Sequence, residues 1–210
     1  MTTGELRDAL LAGGVAILPT DTVYGLAAAL DSPAGVAALY ALKGRSRSQP
    51  CQVLLYAIDL LDEAIAPLDA RTASAVRTLL PGPVTCLVPD PGGRYEPAAG
   101  ESPGAVGIRA PRMDPPLDLD IPLVATSANK PGGRDPAVVG DVPDAIRAGA
   151  GAVLDLGRLT GRASSVVDLR AVGGGGPARL VRAGADAPAV RHRLTRLGVQ
   201  IAPAPAPDGG

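Results

Sequence analysis

Short apolar runs alternate along the chain with stretches in which apolar residues recur at the spacing of a helix. Leu6, Leu10 and Leu11 lie on one side of a short predicted helix, which Gly13 and Gly14 end. Serine, aspartate and early prolines, which favour helix starts, open further predicted helices at 33–42, at 70–80 and after 141. A last helix is predicted at 188–197. Helical segments are therefore spread over the whole chain.

Eight apolar runs predict strands of a buried sheet. They lie at 15–19, 53–58, 84–89, 105–110, 123–126, 152–156, 165–169 and 179–182. Because helices separate many of these runs, the chain is predicted to be an α/β protein. Strands follow one another without helices at 84–110 and 152–182, which favours a mixed sheet over a parallel one. Outside this framework the sequence predicts a surface loop at 89–104, a flexible loop at 173–176 and a disordered tail at 202–210.

The composition fits one large domain with a core of its own. Of the 210 residues, 46% are apolar and 20% are charged, and the net charge is −1, which excludes a disordered chain. Two cysteines, Cys51 and Cys86, are too few for a disulfide scaffold or a zinc cage and are predicted to be reduced thiols. The polar N-terminus and the lack of about 18 consecutive apolar residues predict a cytoplasmic protein without membrane contact.

Several classes of function are disfavoured by what the sequence lacks. Phe and Trp are absent and Tyr occurs four times, so tight binding of RNA or DNA through base stacking is not expected. The sequence contains no Walker-type, dinucleotide-binding or G-x-S-x-G motif. Its one histidine, His192, stands between Arg191 and Arg193 and predicts a solvated basic face rather than a catalytic triad or metal ligand.

Candidate chemistry lies where apolar strands end in polar residues. Thr20, Asp21 and Thr22 follow the first strand, a position where ligands bind in open α/β sheets, and an ordinary turn is the alternative interpretation. The loop 43–50 holds three cations and suits a polyphosphate, or it is a solvated basic loop. Because the chain has 18 arginines and only two lysines, Lys43 is a weak indication that this loop needs a compact ammonium.

Further polar positions interrupt the later strands. Arg109 ends an apolar run, so it is predicted either to form a structural ion pair or to anchor a substrate carboxylate in a cavity. Ser127 and Asn129 follow the strand at 123–126 in a polar turn. Ser164 directly precedes the strand at 165–169, and Arg182 ends the strand at 179–182.

Taken in order, these segments resemble the YrdC-like family of threonylcarbamoyl-AMP synthases. The segments that carry the resemblance are PTDTVYGLA, KGR, VGIRAP, ATSAN, SSVVD and LVRAG, and they extend from about residue 6 to residue 184. The resemblance implies a twisted mixed sheet with surrounding helices and a large concave basic cavity. It implies a catalytic domain at 1–186, followed by a C-terminal helix and short strand at 187–201.

The family resemblance implies an enzyme that makes threonylcarbamoyl-AMP and pyrophosphate from L-threonine, bicarbonate and ATP, with Mg²⁺ bound to the ATP. Transfer proteins would then place the threonylcarbamoyl group on tRNA, so contact with tRNA itself is expected to be weak or indirect. Two other readings stay open: a divergent member that acts on another carbamoyl or adenylyl substrate, and a non-catalytic module that binds a nucleotide or RNA.

The resemblance also implies roles for individual residues. Four residues are expected to contact the substrate threonine: Thr22, Arg109, Ala125 and Ser164. Six are expected to contact the nucleotide: Lys43, Arg45, Gln49, Ser127, Asn129 and Arg182. Lys43 and Arg45 resemble the phosphate-binding pair and are the expected catalytic residues. If Lys43 is solvated without ligand, its replacement should change stability by less than about 0.5 kcal/mol.

Three positions depart from the family pattern. Leu54 stands where a histidine is common, Ala105 stands where a threonine is usual, and Asp135 begins a segment that usually reads serine-proline-threonine. A carboxylate beside a nucleotide is unfavourable unless it faces a cation.

Overall fold

The computed structural model describes residues 2–101 and 104–202, and within them one mixed sheet of nine strands forms the centre of the fold. The strands are β1 (Val15–Leu18), β2 (Gly25–Ala29), β3 (Gln52–Leu54), β4 (Val84–Pro89), β5 (Ala105–Arg109), β6 (Leu123–Ser127), β7 (Ala152–Val153), β8 (Ser165–Asp168) and β9 (Arg179–Arg182). Their order is β7-β1-β2-β6-β3-β5-β4-β8-β9. Three neighbouring pairs, β1/β7, β3/β5 and β4/β8, are parallel and the others antiparallel, which confirms the predicted mixed sheet.

Helices surround the sheet. They are α1 (Thr3–Leu11), α2 (Pro33–Lys43), α3 (Ile58–Ile65), α4 (Ala70–Leu79), α5 (Glu96–Ala99), α6 (Asp144–Gly149) and α7 (Ala187–Arg196). The predicted capping residues begin two of them: the side chain of Ser32 accepts from the amide of Gly35, and that of Asp69 accepts from the amides of Arg71 and Thr72. Within the described ranges, no helix has both the length and the apolar character needed to cross a membrane.

Alternate side chains of the strands face two apolar layers. In β1, Val15 and Ile17 belong to the larger layer, against which α2, α4 and α7 pack. Ala16 and Leu18 belong to the smaller layer, which contains α1 and the segment 117–121. Because α1 packs against only part of this second face, the central strands β3, β4 and β5 are available to form a cavity.

Several predicted elements differ in the structure. Strand β2 was not predicted, and the apolar run at 53–58 is two elements, because pairing ends at Leu54 and α3 begins at Ile58. The predicted loop at 89–104 contains α5, whose Ala98 and Ala99 are buried. Asp141 does not cap α6; its carboxylate accepts from the amides at 137 and 138, and Pro143 precedes the helix.

The last described segment, 187–202, packs on α4 and beside the start of β9. Helix α7 contributes Val190 and Leu194 to the larger apolar layer, and Ile201 forms an isolated parallel bridge with Ala178. The glycine segment 173–176 forms a turn in which a Cβ on Gly173 would lie 2.2 Å from Asp69 Oδ2, so it packs against the start of α4. The predicted disordered tail lies outside the described residues from 203 onward.

Candidate functional site

A cavity of about 400 Å³ lies over the centre of the sheet, on the face that α1 partly covers. Small residues of three strands leave the space: Gly25 in β2, Ala105 and Gly107 in β5, and Ala125 in β6. A Cβ on Gly107 would lie 3.2 Å from Thr85 Cγ2, so any larger residue there would intrude on its neighbours. The cavity has the volume of a typical small-ligand site.

Most of the charged side chains in the cavity wall are cations. Arg45, Arg109, Arg170 and Arg182 line it, and among the lining residues that the structure describes Asp135 is the one carboxylate. Arginine is well suited to binding phosphate and carboxylate groups because its guanidinium presents several donors in one plane. The arrangement therefore favours an anionic ligand.

Arg109 lies at the end of β5 and is 3% exposed. Its Nη2 donates to Asp21 Oδ1 at 2.6 Å and to the hydroxyls of Thr20 and Thr22 at 3.2 and 2.5 Å. The loop between β1 and β2 must therefore fold over the sheet to reach β5. Nε of Arg109 is buried without a hydrogen-bond partner among the described residues. The structural ion pair that the sequence offered for Arg109 is present, and Arg109 also lines the cavity.

The structure places Thr22 differently from the sequence expectation. Thr22 is fully buried and is absent from the cavity wall, whereas Thr20 lines the cavity. The Thr22 hydroxyl lies 3.0 Å from that of Thr20 and accepts from Arg109. Thr22 thus holds Arg109 in place. Thr20 is the threonine of this loop that lines the cavity, and its hydroxyl donates to the carbonyl of Val23 at 2.7 Å. Ala125, also expected at this end of the site, lines the cavity.

Lys43 is buried, so the condition under which its replacement would leave stability unchanged is not met. It is 4% exposed, and its Nζ donates to the carbonyl oxygens of Ser127 and Asn129 at 2.6 and 2.5 Å and to Asn129 Oδ1. These three acceptors match the three protons of an ammonium. Burial and the nearby Arg45 lower the pKa of Lys43 to about 8. Through these hydrogen bonds Lys43 holds the turn after β6 in place, and its side chain does not line the cavity.

The turn after β6 holds a continuous chain of hydrogen bonds. Ser127 Oγ donates to Asn129 Oδ1 at 2.7 Å, and Asn129 Nδ2 donates to the carbonyl of Gly133 at 2.6 Å and to Asp135 Oδ1 at 3.2 Å. Of these residues Ser127 and Asp135 line the cavity, while the side chain of Asn129 lies behind them and is 7% exposed.

Arg45 presents its charge to the cavity from the loop after α2. Gly44, with a φ of +67°, ends that helix in the left-handed region and turns the chain toward the site. Arg45 donates to Thr126 Oγ1 at 3.2 Å and to the carbonyl of Pro50 at 2.7 Å, and it forms no ion pair with a described residue. Gln49, expected to contact the nucleotide, is exposed and does not line the cavity.

The far wall combines Ser164 with three polar neighbours. Arg182 donates through Nε to the Ser164 carbonyl at 3.0 Å and through Nη2 to its hydroxyl at 3.1 Å. That hydroxyl lies 3.1 Å from Thr85 Oγ1, which donates to Gln52 Oε1 at 2.9 Å. Sequence reasoning missed Thr85 and Gln52, although each is a polar residue in an apolar strand.

Two further lining residues were not predicted. Arg170 is bound by both oxygens of Asp168, at 2.9 and 2.6 Å, and this pairing lowers the pKa of Asp168. Cys51 also lines the cavity, and burial raises the pKa of its thiol. The other cysteine, Cys86, is likewise a free, buried thiol and does not line the cavity.

The structure shows the surroundings of two of the three residues that depart from the family pattern, Leu54 and Asp135. Leu54 is fully buried in the smaller apolar layer, where its side chain packs with apolar neighbours. Asp135 accepts from Asn129 within the turn after β6. Nothing in the structure explains Ala105 beyond its place in the cavity wall.

Comparison with known proteins identifies relatives over most of the chain. The model of the Sua5/YciO/YrdC family, described as "Telomere recombination", matches residues 8–184. A threonylcarbamoyl-AMP synthase from Chromohalobacter salexigens is 32% identical over 180 residues, which cover 80% of this chain and 95% of that protein. The human threonylcarbamoyl-AMP synthase is 38% identical over 125 residues, or 57% of this chain and 43% of that protein.

Solved structures share the fold. The P. abyssi Sua5 complexed with L-threonine superimposes with a TM-score of 0.76 at 23% identity, covering 97% of this chain. The chain spans 60% of the length of that protein. The E. coli YciO structure gives a TM-score of 0.70 at 16% identity, covering 87% of this chain and 88% of the other.

Proposed function

The chain belongs to the Sua5/YciO/YrdC family, and we propose that it is a threonylcarbamoyl-AMP synthase, which forms threonylcarbamoyl-AMP and pyrophosphate from L-threonine, bicarbonate and ATP. The observation that carries the proposal is the cavity itself, whose wall holds four arginines and several hydroxyls. Relatives that bear this activity in their names are up to 38% identical to the chain.

The proposed reaction makes demands that this cavity can meet. Addition of the threonine amine to the carbon of bicarbonate, with loss of water, gives a carbamate, and the carbamate oxygen then attacks the α-phosphorus as pyrophosphate leaves. Both reactants are anions, so the protein must neutralise charge and align the reacting atoms. Fixed arginine and hydroxyl donors supply such stabilisation without a general base.

The threonine end of the site is assigned to Arg109 and Thr20. Arg109 would bind the substrate carboxylate, since its buried Nε has no partner among the described residues and its side chain faces the cavity. Asp21 and Thr22 hold the guanidinium so that little rearrangement is needed on binding. Thr20 would form the wall beside the substrate, and Ala125 and Ser164 would complete the pocket.

The nucleotide end is assigned to Arg45, Ser127 and Arg182. Arg45 and Arg182 form no ion pair with a described residue, so both charges are available to phosphate groups. Lys43 and Asn129 support this end by holding the turn that carries Ser127. Gln49 would take part only if its exposed loop moved.

Magnesium would enter with the nucleotide. Among the described residues, no group of three or more His, Cys, Asp or Glu side chains is arranged to hold a metal ion. Mg²⁺ commonly binds through substrate phosphates, waters and one or two carboxylates, and Asp135 is available in the wall. The ion would neutralise phosphate charge.

The product would pass to tRNA threonylcarbamoyl-transfer proteins in the cytoplasm, with weak or indirect contact to tRNA.

Release of pyrophosphate from ATP tests the proposal. We expect release only when both L-threonine and bicarbonate are present, because the nucleophile must be assembled from the two. Omission of each component in turn is the control. Pyrophosphate release that is independent of bicarbonate would contradict the proposed reaction.

Replacing L-threonine by L-alanine tests recognition of the hydroxyl. A buried site that hydrogen-bonds a hydroxyl discriminates strongly against its loss, so we expect kcat/KM to fall by about 10²-fold or more. L-Serine, which keeps the hydroxyl and lacks the methyl group, is the matched control and should fall by less. Equal turnover of threonine and alanine would contradict a threonine-specific site.

A further inference from the structure

Asp135 is a carboxylate in a wall of arginines that nevertheless forms no ion pair with any described residue. Its Oδ1 accepts one long hydrogen bond, of 3.2 Å, from Asn129 Nδ2. No donor among residues 2–101 and 104–202 reaches its Oδ2. A half-buried carboxylate with a free oxygen beside an anion-binding cavity is a position where a cation is expected.

The nearest buried cation does not satisfy this carboxylate. Lys43 gives its three protons to Ser127 and Asn129 and forms no ion pair with a described acid. Asp135 acts on Lys43 only through space, where it opposes part of the lowering of the Lys43 pKa by burial and Arg45. No described residue supplies a cation to Asp135, so a cation bound there would come with a ligand.

Neighbouring atoms supply other oxygen ligands on the same side of the cavity. Ser127, which lines the wall, contributes a hydroxyl oxygen, and Asn129 connects it to Asp135 through hydrogen bonds of 2.7 and 3.2 Å. Oxygen atoms are the ligands that Mg²⁺ prefers, and a single carboxylate together with substrate phosphates is a common way to hold it.

We propose that Asp135 is a ligand of the magnesium ion carried by the nucleotide, bound directly or through one water, so that this chain selects the metal-bound nucleotide. The inference rests on the proposed function, because it requires a nucleotide at the Arg45–Ser127 end of the cavity. Without the ion, the carboxylate would repel the phosphates. With the ion, the same carboxylate attracts the complex.

Nucleotide binding in two metal conditions tests the inference without any turnover. ATP binding is measured by calorimetry in the absence of threonine, once with millimolar Mg²⁺ and once with excess EDTA. The quantity of interest is the dissociation constant in EDTA divided by that in Mg²⁺. Wild-type protein, Asp135→Ser and Asp135→Asn are compared. Asp135→Asn keeps an oxygen that can accept from Asn129, so it preserves the turn while it removes the charge.

We expect the ratio to be at least about 10-fold larger for the wild type than for either variant, because one carboxylate ligand is lost. The variants should also bind metal-free ATP more tightly than the wild type does. Asp118→Ser is the matched control, since Asp118 is an exposed carboxylate outside the cavity wall. It should leave the ratio unchanged.

Two other outcomes of the binding experiment would contradict the inference, and they differ in what they imply for the proposed function. An equal change in affinity in Mg²⁺ and in EDTA would show that Asp135 does not interact with the magnesium ion, and it would overturn the inference alone. Absence of ATP binding by the wild type in both conditions would overturn the proposed function itself and the inference with it. Thermal melting of all four proteins establishes that each is folded.

Discussion

Replacing Arg109 by alanine is expected to lower kcat/KM for L-threonine by about 10³-fold and to destabilise the protein. The activity falls because the carboxylate of the substrate loses its cation. Stability falls because Asp21, which is 10% exposed, is left buried without its partner. Loss of one member of a buried ion pair costs about 3–5 kcal/mol. For a chain of this size that corresponds to a decrease in Tm on the order of 10 °C.

Two further variants separate the two effects of Arg109. Arg109→Lys keeps a positive charge beside Asp21, so its Tm should lie close to that of the wild type while the KM for threonine rises, because the planar guanidinium is lost. Combining Arg109→Met with Asp21→Asn removes both charges and should recover part of the lost Tm without restoring activity. Arg191→Ala, at an exposed position of α7, is the control for the loss of an arginine. An unchanged KM for threonine in Arg109→Lys, or preserved turnover in the double variant, would show that Arg109 has only a structural role.

Replacing Lys43 by alanine is expected to lower both stability and turnover. The substitution leaves the carbonyl oxygens of Ser127 and Asn129 and the Asn129 side chain without their buried donor. Unsatisfied buried acceptors of this kind cost about 2–4 kcal/mol in total, or a decrease in Tm on the order of 8 °C. The turn that carries Ser127 should loosen, and kcat should fall by about 10²-fold.

The second lysine of the chain provides the matched control. Lys130 is exposed one residue after Asn129, so Lys130→Ala should leave Tm and kcat nearly unchanged. Tm and turnover per folded molecule are measured on both variants. A Tm unchanged in Lys43→Ala would support the solvated, phosphate-binding lysine that the sequence suggested. Preserved turnover with a lowered Tm would limit Lys43 to a structural role.

Local signals located most of the elements because their causes are local. Ser32 and Asp69 begin α2 and α4 as predicted, and Pro81 follows the end of α4. Strand β2 escaped prediction because Gly25–Ala29 consists of small or apolar residues buried on both faces, so no alternation marks it. The run at 53–58 was misread as one strand because apolar residues continue without interruption into α3, whose first residue Ile58 is 54% exposed.

The burial and the contacts of the polar residues were harder to predict than the helices and strands on which these residues lie. Lys43 ends a helix and precedes a glycine, a local setting typical of exposed cations. It is buried because its acceptors Ser127 and Asn129 lie 84 and 86 residues away along the chain. Thr20 and Thr22 are two residues apart in one loop, yet only Thr20 lines the cavity.

The sequence by itself determined the α/β class, most strand and helix positions, the ordered motifs and therefore the family. These properties depend on periodicity, capping and residue type within short windows. Tertiary structure alone decided which polar groups share the cavity, since the sheet order brings β3, β5 and β4 together and joins Arg109 to Thr20 across 89 residues and Thr85 to Ser164 across 79. Long-range strand pairing and the burial of charge determine which residues become neighbours in space. Neither can be read from the pattern of apolar and polar residues within a short segment of the sequence.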